Sequence, residues 1–83
     1  MPYFVYILRT SANTLYIGQT NNLVKRLKEH QSKSKRSAKY IRRYNSFELV
    51  YSEALPTRKE AMAREVQIKK LPRAKKDILV SNK

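Results

Sequence analysis

The sequence has no cysteine, one glycine and one histidine among its 83 residues. The absence of cysteine excludes disulfide bonds and thiolate metal sites, and it is compatible with a reducing compartment. Because His30 is the single histidine, a histidine-rich metal site is excluded. No run approaches the ~20 apolar residues of a membrane span, and residues 1–10 lack the features of a signal peptide. We therefore expect a cytoplasmic protein with a single domain over residues 1–83.

Acidic residues are also scarce, since six carboxylates stand against 19 lysines and arginines, and the net charge is +13. A charge of this kind attracts polyanions, and nucleic acid is the usual partner of a strongly basic domain. The alternatives are an ordinary basic surface or a ribosome- or RNA-associated accessory role. A two-metal carboxylate cage would need several of the six acids to converge. One hard cation held by a single carboxylate and water is the more economical metal site.

The hydrophobic pattern predicts an α+β domain with the element order β-β-α-(α)-β-α-α. The first two strands form a hairpin, because a turn signal at residues 11–13 separates two aromatic and β-branched runs. Thr57 and Glu60 have the spacing of a capping box, and Pro72 ends the helix that they begin. Strands are predicted over residues 3–10, 15–19 and 47–54, helices over 23–31, 57–71 and 73–80, and a short helical segment within 38–44.

The single glycine, Gly18, lies inside the second predicted strand, where glycine weakens a strand. With a three-residue turn, Gly18 pairs with Tyr6, and Tyr16 lies on the same face of the sheet. We interpret Gly18 as leaving open space beside the Tyr6 ring, in which a substrate group contacts two phenols. The alternative is a packed aromatic hairpin with a β-bulge at Gly18.

Glu65 falls between Ala61, Met62 and Ile68, in the middle of the apolar stripe of its helix. A carboxylate there is costly unless it is paired or binds a metal. The sequence therefore marks Glu65 as a candidate functional residue. The alternative is a glutamate at the edge of the core that pairs with Lys69 one turn later.

Arg26 and His30 lie four residues apart and share one face of the first helix. An arginine can clamp a phosphate through its planar guanidinium. A neutral histidine can position a water molecule or accept a proton. Taken alone, each residue is better explained as an ordinary side chain, an arginine at the helix border and a histidine at the helix end, so the pair gains significance only if it faces Glu65.

The ordered set of these residues resembles the GIY-YIG nuclease domain, and more narrowly its small stand-alone prokaryotic members. The resemblance spans roughly residues 3–80 and implies a small three-stranded antiparallel sheet flanked by helices. It implies a divalent-metal-dependent endonuclease that hydrolyses phosphodiester bonds in structured or damaged DNA, as in DNA repair. A stand-alone domain of this kind is either weakly specific or relies on a protein partner to find its target. A module that binds DNA or RNA with negligible turnover is the alternative. The matching residues are Phe4-Val5-Tyr6, Tyr16-Ile17-Gly18, Arg26, His30 and Glu65.

The resemblance implies a role for each matching polar residue. Tyr6 activates or positions the attacking water, and Tyr16 helps to place that water and the scissile phosphate. Arg26 stabilises the developing charge, His30 assists proton transfer, and Glu65 holds a single Mg²⁺ or Mn²⁺ ion. A phenol with a pKa of about 10 is a poor base at neutral pH. Nearby cations must therefore lower the pKa of Tyr6, or hydroxide at the metal must act instead.

Two positions depart from the family pattern. Phe4 replaces the glycine of the first motif, which leaves the tyrosine that carries the proposed chemistry. Asp77 is the nearest counterpart of an asparagine that often follows the catalytic glutamate. It either joins the metal shell or merely lies on the last helix, so it is not assigned a catalytic role.

A basic segment follows His30 directly and is the expected nucleic-acid-binding rim, because lysines and arginines there can grip the phosphate backbone. Tyr40 and Tyr44 lie in the same segment and could stack on unpaired bases, or could pack the segment onto the domain. A weaker basic candidate lies at Arg73, Lys75 and Lys76. The residues of the expected rim are Lys33, Lys35, Arg36, Lys39, Arg42 and Arg43.

Overall fold

The computed structural model describes residues 2–31 and 46–81, and all structural statements below concern those residues. Every predicted element within them is present, with ends that differ from the prediction by at most two residues. The short helical segment expected within residues 38–44 lies outside the described residues. The elements are β1 (Tyr3–Thr10), β2 (Leu15–Thr20), α1 (Leu23–Gln31), β3 (Phe47–Leu55), α2 (Arg58–Lys69) and α3 (Arg73–Ser81).

The three strands form one antiparallel sheet in the order β2-β1-β3. The central position of β1 explains why its sequence is apolar at almost every residue, since both of its faces are covered. The predicted hairpin register is confirmed, because Tyr6 pairs with Gly18 and Leu8 with Tyr16. Pairing of β1 with β2 is regular through Gly18, and the register shift lies instead between β1 and β3 at Ile7/Leu8. The alternative prediction of a β-bulge at Gly18 is therefore wrong.

The sheet separates two hydrophobic clusters, because alternate side chains of a strand point to opposite faces. On one face, Val5 and Ile7 of β1 pack with Ala61 and Ile68 of α2. On the other face, Tyr6 and Leu8 pack with Tyr16 and with two leucines of α1, Leu23 and Leu27. The expected sheet flanked by helices is thus confirmed, with α1 and α2 on opposite faces.

The helix boundaries follow from local hydrogen bonds. The Asn22 side chain accepts from the backbone N–H of Lys25 at 3.1 Å and begins α1. The Thr57 hydroxyl accepts from the N–H of Glu60 at 3.2 Å and begins α2, as its spacing predicted. One residue of the predicted α2 stripe is misplaced, because Met62 is 47% exposed. In the described segments, no helix is long and apolar enough to cross a membrane.

Candidate active site

Tyr6, Tyr16 and His30 form a compact cluster of rings on the α1 face of the sheet. The ring centroids are 6.3 Å apart for Tyr6 and Tyr16, 6.1 Å for Tyr6 and His30, and 5.8 Å for Tyr16 and His30. The Tyr6 hydroxyl oxygen lies 3.1 Å from Nε2 of His30. Three residues that the sequence marked separately are therefore in mutual contact.

Local geometry explains why these rings meet. The register of the β1–β2 hairpin places Tyr6 and Tyr16 on the same face of the sheet, and α1 begins shortly after β2 ends. His30 lies in the last turn of α1 and is fully buried. Phe47, the first residue of β3, packs edge-on against the imidazole at a centroid distance of 6.0 Å. Phe47 was not singled out from the sequence, because its contact with His30 depends on how α1 packs on the sheet.

The space beside Gly18 is filled by the protein itself, which corrects the interpretation of that glycine as substrate space. A Cβ atom at residue 18 would lie 2.6 Å from the Tyr6 hydroxyl oxygen and 2.8 Å from its Cζ atom. It would also lie 3.2 Å from Cε2 of Tyr16. The strand requires glycine because the Tyr6 phenol lies directly against its backbone.

Burial keeps both members of the Tyr6–His30 hydrogen bond neutral. Desolvation is the largest effect on Tyr6 and raises the pKa of its phenol to about 12, although hydrogen bonding to Arg26 opposes it. Desolvation, with the nearby Arg26 charge, also lowers the pKa of His30 to about 4. Because the Arg26 guanidinium can only donate to the phenol oxygen, we assign the phenol proton to the bond with Nε2 and the imidazole proton to Nδ1. The Arg26 cation beside Tyr6 therefore does not make the phenol a base at neutral pH.

Arg26 links this ring cluster to solvent. It hydrogen-bonds the Tyr6 phenol, and its Nη1 atom donates to Oε1 of Glu29 at 3.1 Å. The side chains of Arg26 and Glu29 are 25% and 20% exposed. Sequence reasoning missed Glu29, although its position three residues after Arg26 on a helix was the available signal. Two partners thus hold the Arg26 guanidinium, and the side chain stays partly exposed.

Glu65 lies on α2, across the sheet from α1, yet its negative charge contributes to the raised pKa of Tyr6. Its side chain is 19% exposed, and Oε2 lies 2.7 Å from Nζ of Lys69. The pairing with Lys69 that the sequence offered as the alternative is therefore present. Glu65 is linked to the ring cluster by this electrostatic effect on Tyr6. The contiguous part of the site is formed by Tyr6, Tyr16, Arg26 and His30.

Two carboxylates lie at this site, and Glu65 is the one that fits a metal, because Glu29 already accepts a hydrogen bond from the Arg26 guanidinium. In the described residues, no three histidine or acidic side chains are grouped so that they could hold an ion. Glu65 is partly exposed and has a second carboxylate oxygen, so it fits one hard cation that keeps most of its water. The other acidic residue with a proposed metal role, Asp77, instead accepts from Arg73 at 2.9 Å.

The expected nucleic-acid rim, with Tyr40 and Tyr44, lies outside the described residues. The second, weaker candidate for a nucleic-acid-binding surface lies on α3. Its residue Arg73 donates two hydrogen bonds, one to Asp77 and one to the backbone oxygen of Asn13 at 3.0 Å. That second contact ties α3 to the β1–β2 turn. Arg73 therefore has a structural function in addition to its charge.

Comparison with known proteins gives a consistent result. The model of the GIY-YIG catalytic domain matches residues 2–77. UPF0213 protein CPE1444 of Clostridium perfringens is 45% identical over 80 residues, which cover 96% of this chain and 84% of that protein. UPF0213 protein YazA of Bacillus subtilis is 37% identical over 81 residues, which cover 98% of this chain and 80% of that protein.

A solved structure resembles this one along its whole length. The solution NMR structure of UPF0213 protein BH0048 from Bacillus halodurans superimposes with a TM-score of 0.64 at 41% identity. The match covers 100% of this chain and 86% of that one. Fold, motif residues and relatives agree, and the chain belongs to the GIY-YIG catalytic domain family.

Proposed function

We propose that the protein is a metal-dependent endonuclease that hydrolyses phosphodiester bonds in DNA, with structured or damaged DNA as the preferred substrate. Membership of the family implies a nuclease-type function and a nucleic-acid partner. The observation that carries the proposal is the contact of Tyr6, Tyr16 and His30 with Arg26 beside them. Pure binding of a polyanion does not require a carboxylate such as Glu65 near that set.

Arg26 and Tyr16 are the groups that would contact the phosphate. The Arg26 side chain is fixed by Tyr6 and Glu29 but remains partly exposed, so it can bind a phosphate oxygen with little reorganisation. Preorganised positive charge of this kind stabilises the charge that develops on the phosphorus oxygens. Tyr16 is partly exposed and interacts electrostatically with Arg26, so its phenol could donate a hydrogen bond to the same phosphate.

Tyr6 and His30 act in this proposal as positioning residues. Moving a proton from this phenol to the imidazole is unfavourable, because burial raises the pKa of Tyr6 and lowers the pKa of His30. Tyr6 is also only 1% exposed. Its neutral phenol is better suited to hold Arg26 than to deprotonate water.

Glu65 would hold the Mg²⁺ or Mn²⁺ ion through its carboxylate. When bound, the ion supplies positive charge to the phosphate and acidity to a water molecule. With a more acidic water molecule, the reaction would not need a strong protein base. This fits the raised pKa of Tyr6, whose phenol stays protonated. The basic segment with Lys33, Lys35, Arg36, Lys39, Arg42 and Arg43 would bind the DNA backbone beyond the scissile phosphate.

Nicking of supercoiled plasmid at low salt with Mg²⁺ or Mn²⁺ tests the proposal. Glu65→Gln keeps the shape of the side chain and removes its charge, so we expect a loss of roughly 100-fold or more. Glu60→Gln makes the same change on the exposed side of the same helix and should cut normally. Equal cutting by native protein and Glu65→Gln would refute the assigned site. Branched DNA and RNA substrates then define the preferred nucleic acid.

A nucleic-acid-binding module with negligible turnover is the second candidate function. The observation that favours it is that Tyr6 is buried while Lys69 neutralises Glu65. This function predicts that native protein and Glu65→Gln both retard DNA in a gel and that neither cuts any substrate. Metal-dependent cutting by the native protein alone would exclude it.

A further inference from the structure

Glu65 differs from the other paired carboxylates in the identity of its partner. In residues 2–31 and 46–81, the ion pairs of Glu29, Glu48, Glu53 and Asp77 each use an arginine. Glu65 pairs with Lys69, whose ammonium lies 2.7 Å from Oε2. The carboxylate that acts electrostatically on Tyr6 is thus the one held by a lysine.

A lysine partner is easier to replace with a metal ion than an arginine partner is. A guanidinium binds a carboxylate through a rigid, planar set of donors, whereas a lysine ammonium is a point charge on a flexible chain. The Lys69 side chain is 54% exposed, so its ammonium can move into water without crossing the protein interior. A helical ion pair at this spacing whose lysine is more than half exposed contributes little stability. The Lys69 contact is therefore easily broken.

We propose that Lys69 is a resident counter-ion that competes with the divalent cation for Glu65 and so sets the metal affinity of the site. The ammonium and a cation would bind the same carboxylate, so the positive charge of Lys69, 2.7 Å from Oε2, opposes the charge of the incoming ion. Lys69 also holds Glu65 in place while no cation is bound. This inference rests on the proposed metal-binding role of Glu65.

The proposal predicts opposite effects for two substitutions. Lys69→Met removes the competitor, and we expect Mg²⁺ to bind about three- to tenfold more tightly. Lys69→Arg keeps the charge but replaces the ammonium with a bidentate donor, and we expect binding to weaken severalfold. Lys70→Met removes the same charge from the next, exposed position and should change the affinity by less than about twofold.

Mg²⁺ titration followed by amide chemical shifts along α2 measures these affinities without any substrate. Line broadening by Mn²⁺ locates the ion, and the dispersion of each variant's spectrum verifies its fold. Opposite shifts for Lys69→Met and Lys69→Arg, with Lys70→Met near native, support the proposal. If all four proteins bind alike at Glu65, the role of Lys69 is wrong while the metal site stands. If no binding localises to α2, or if Glu65→Gln binds as the native protein does, both the metal site and the role of Lys69 are wrong.

Discussion

Replacing Gly18 with alanine tests whether the glycine is required by the Tyr6 phenol. The added Cβ would lie 2.6 Å from the phenol oxygen and 2.8 Å from Cζ. Favourable carbon contacts lie near 3.5–4.0 Å, so the ring or the strand must move by about 1 Å. Tyr6 cannot move freely, because it is 1% exposed and hydrogen-bonded to His30.

Two opposing effects determine the magnitude. Gly18 does not have a positive φ, so alanine is compatible with the backbone and gains about 0.4–1 kcal/mol by restricting the unfolded chain. Overpacking in a closed core costs about 1–3 kcal/mol. We therefore expect a net destabilisation of about 1–2 kcal/mol, which lowers the Tm of a domain of this size by roughly 5–15 °C.

Thermal and urea unfolding followed by circular dichroism measure this change. Gln19→Ala is the matched control, because it introduces alanine at the neighbouring position, which points to the opposite face of β2. Tyr6→Phe removes the closest contact atom, so the cost of Gly18→Ala should fall in that background, with a coupling energy of about 0.5–1 kcal/mol. The steric explanation is refuted if Gly18→Ala is as stable as Gln19→Ala. It is also refuted if the effects of Gly18→Ala and Tyr6→Phe on the free energy of unfolding are additive.

Three further predictions concern other parts of the protein. The pKa of His30 near 4 should appear directly in an NMR titration, since the chain has no other histidine. Because the unfolded state binds the extra proton between pH 4 and 6.5, the free energy of unfolding should fall by about 3 kcal/mol as the pH falls through that range. A titration midpoint near 6.5 would contradict the burial argument. Thr57→Ala should destabilise the protein by about 1 kcal/mol in urea unfolding, and Thr57→Ser should restore most of the loss; equal stability of all three would show that the cap is unimportant. DNA affinity should fall about 10³-fold or more between 50 and 200 mM salt if the six basic residues within 33–43 contact phosphates, whereas a flat dependence would exclude that segment as the interface.

The local arrangement of the site followed from the sequence, because it depends on short-range periodicity. The two-residue repeat of a strand and the turn at Asn13 together fix the pairing of Tyr6 with Gly18. The 3.6-residue repeat of a helix places Arg26 and His30 on one face of α1. Each of these relations involves residues close in the chain, so no knowledge of the packed domain was needed.

The protonation state of Tyr6 and His30 depends on the tertiary structure. Burial of His30 against Phe47 and the sheet, which shifts the pKa values of His30 and Tyr6 apart, requires α1 to be docked. The filling of the space beside Gly18 depends on the direction of the Tyr6 side chain, which the strand pattern does not specify. The residues that share a face could be predicted from the sequence, since this is a property of the strand and helix repeats. Tertiary packing determined which side chains lose water, and it is desolvation that sets their protonation and therefore their possible chemistry.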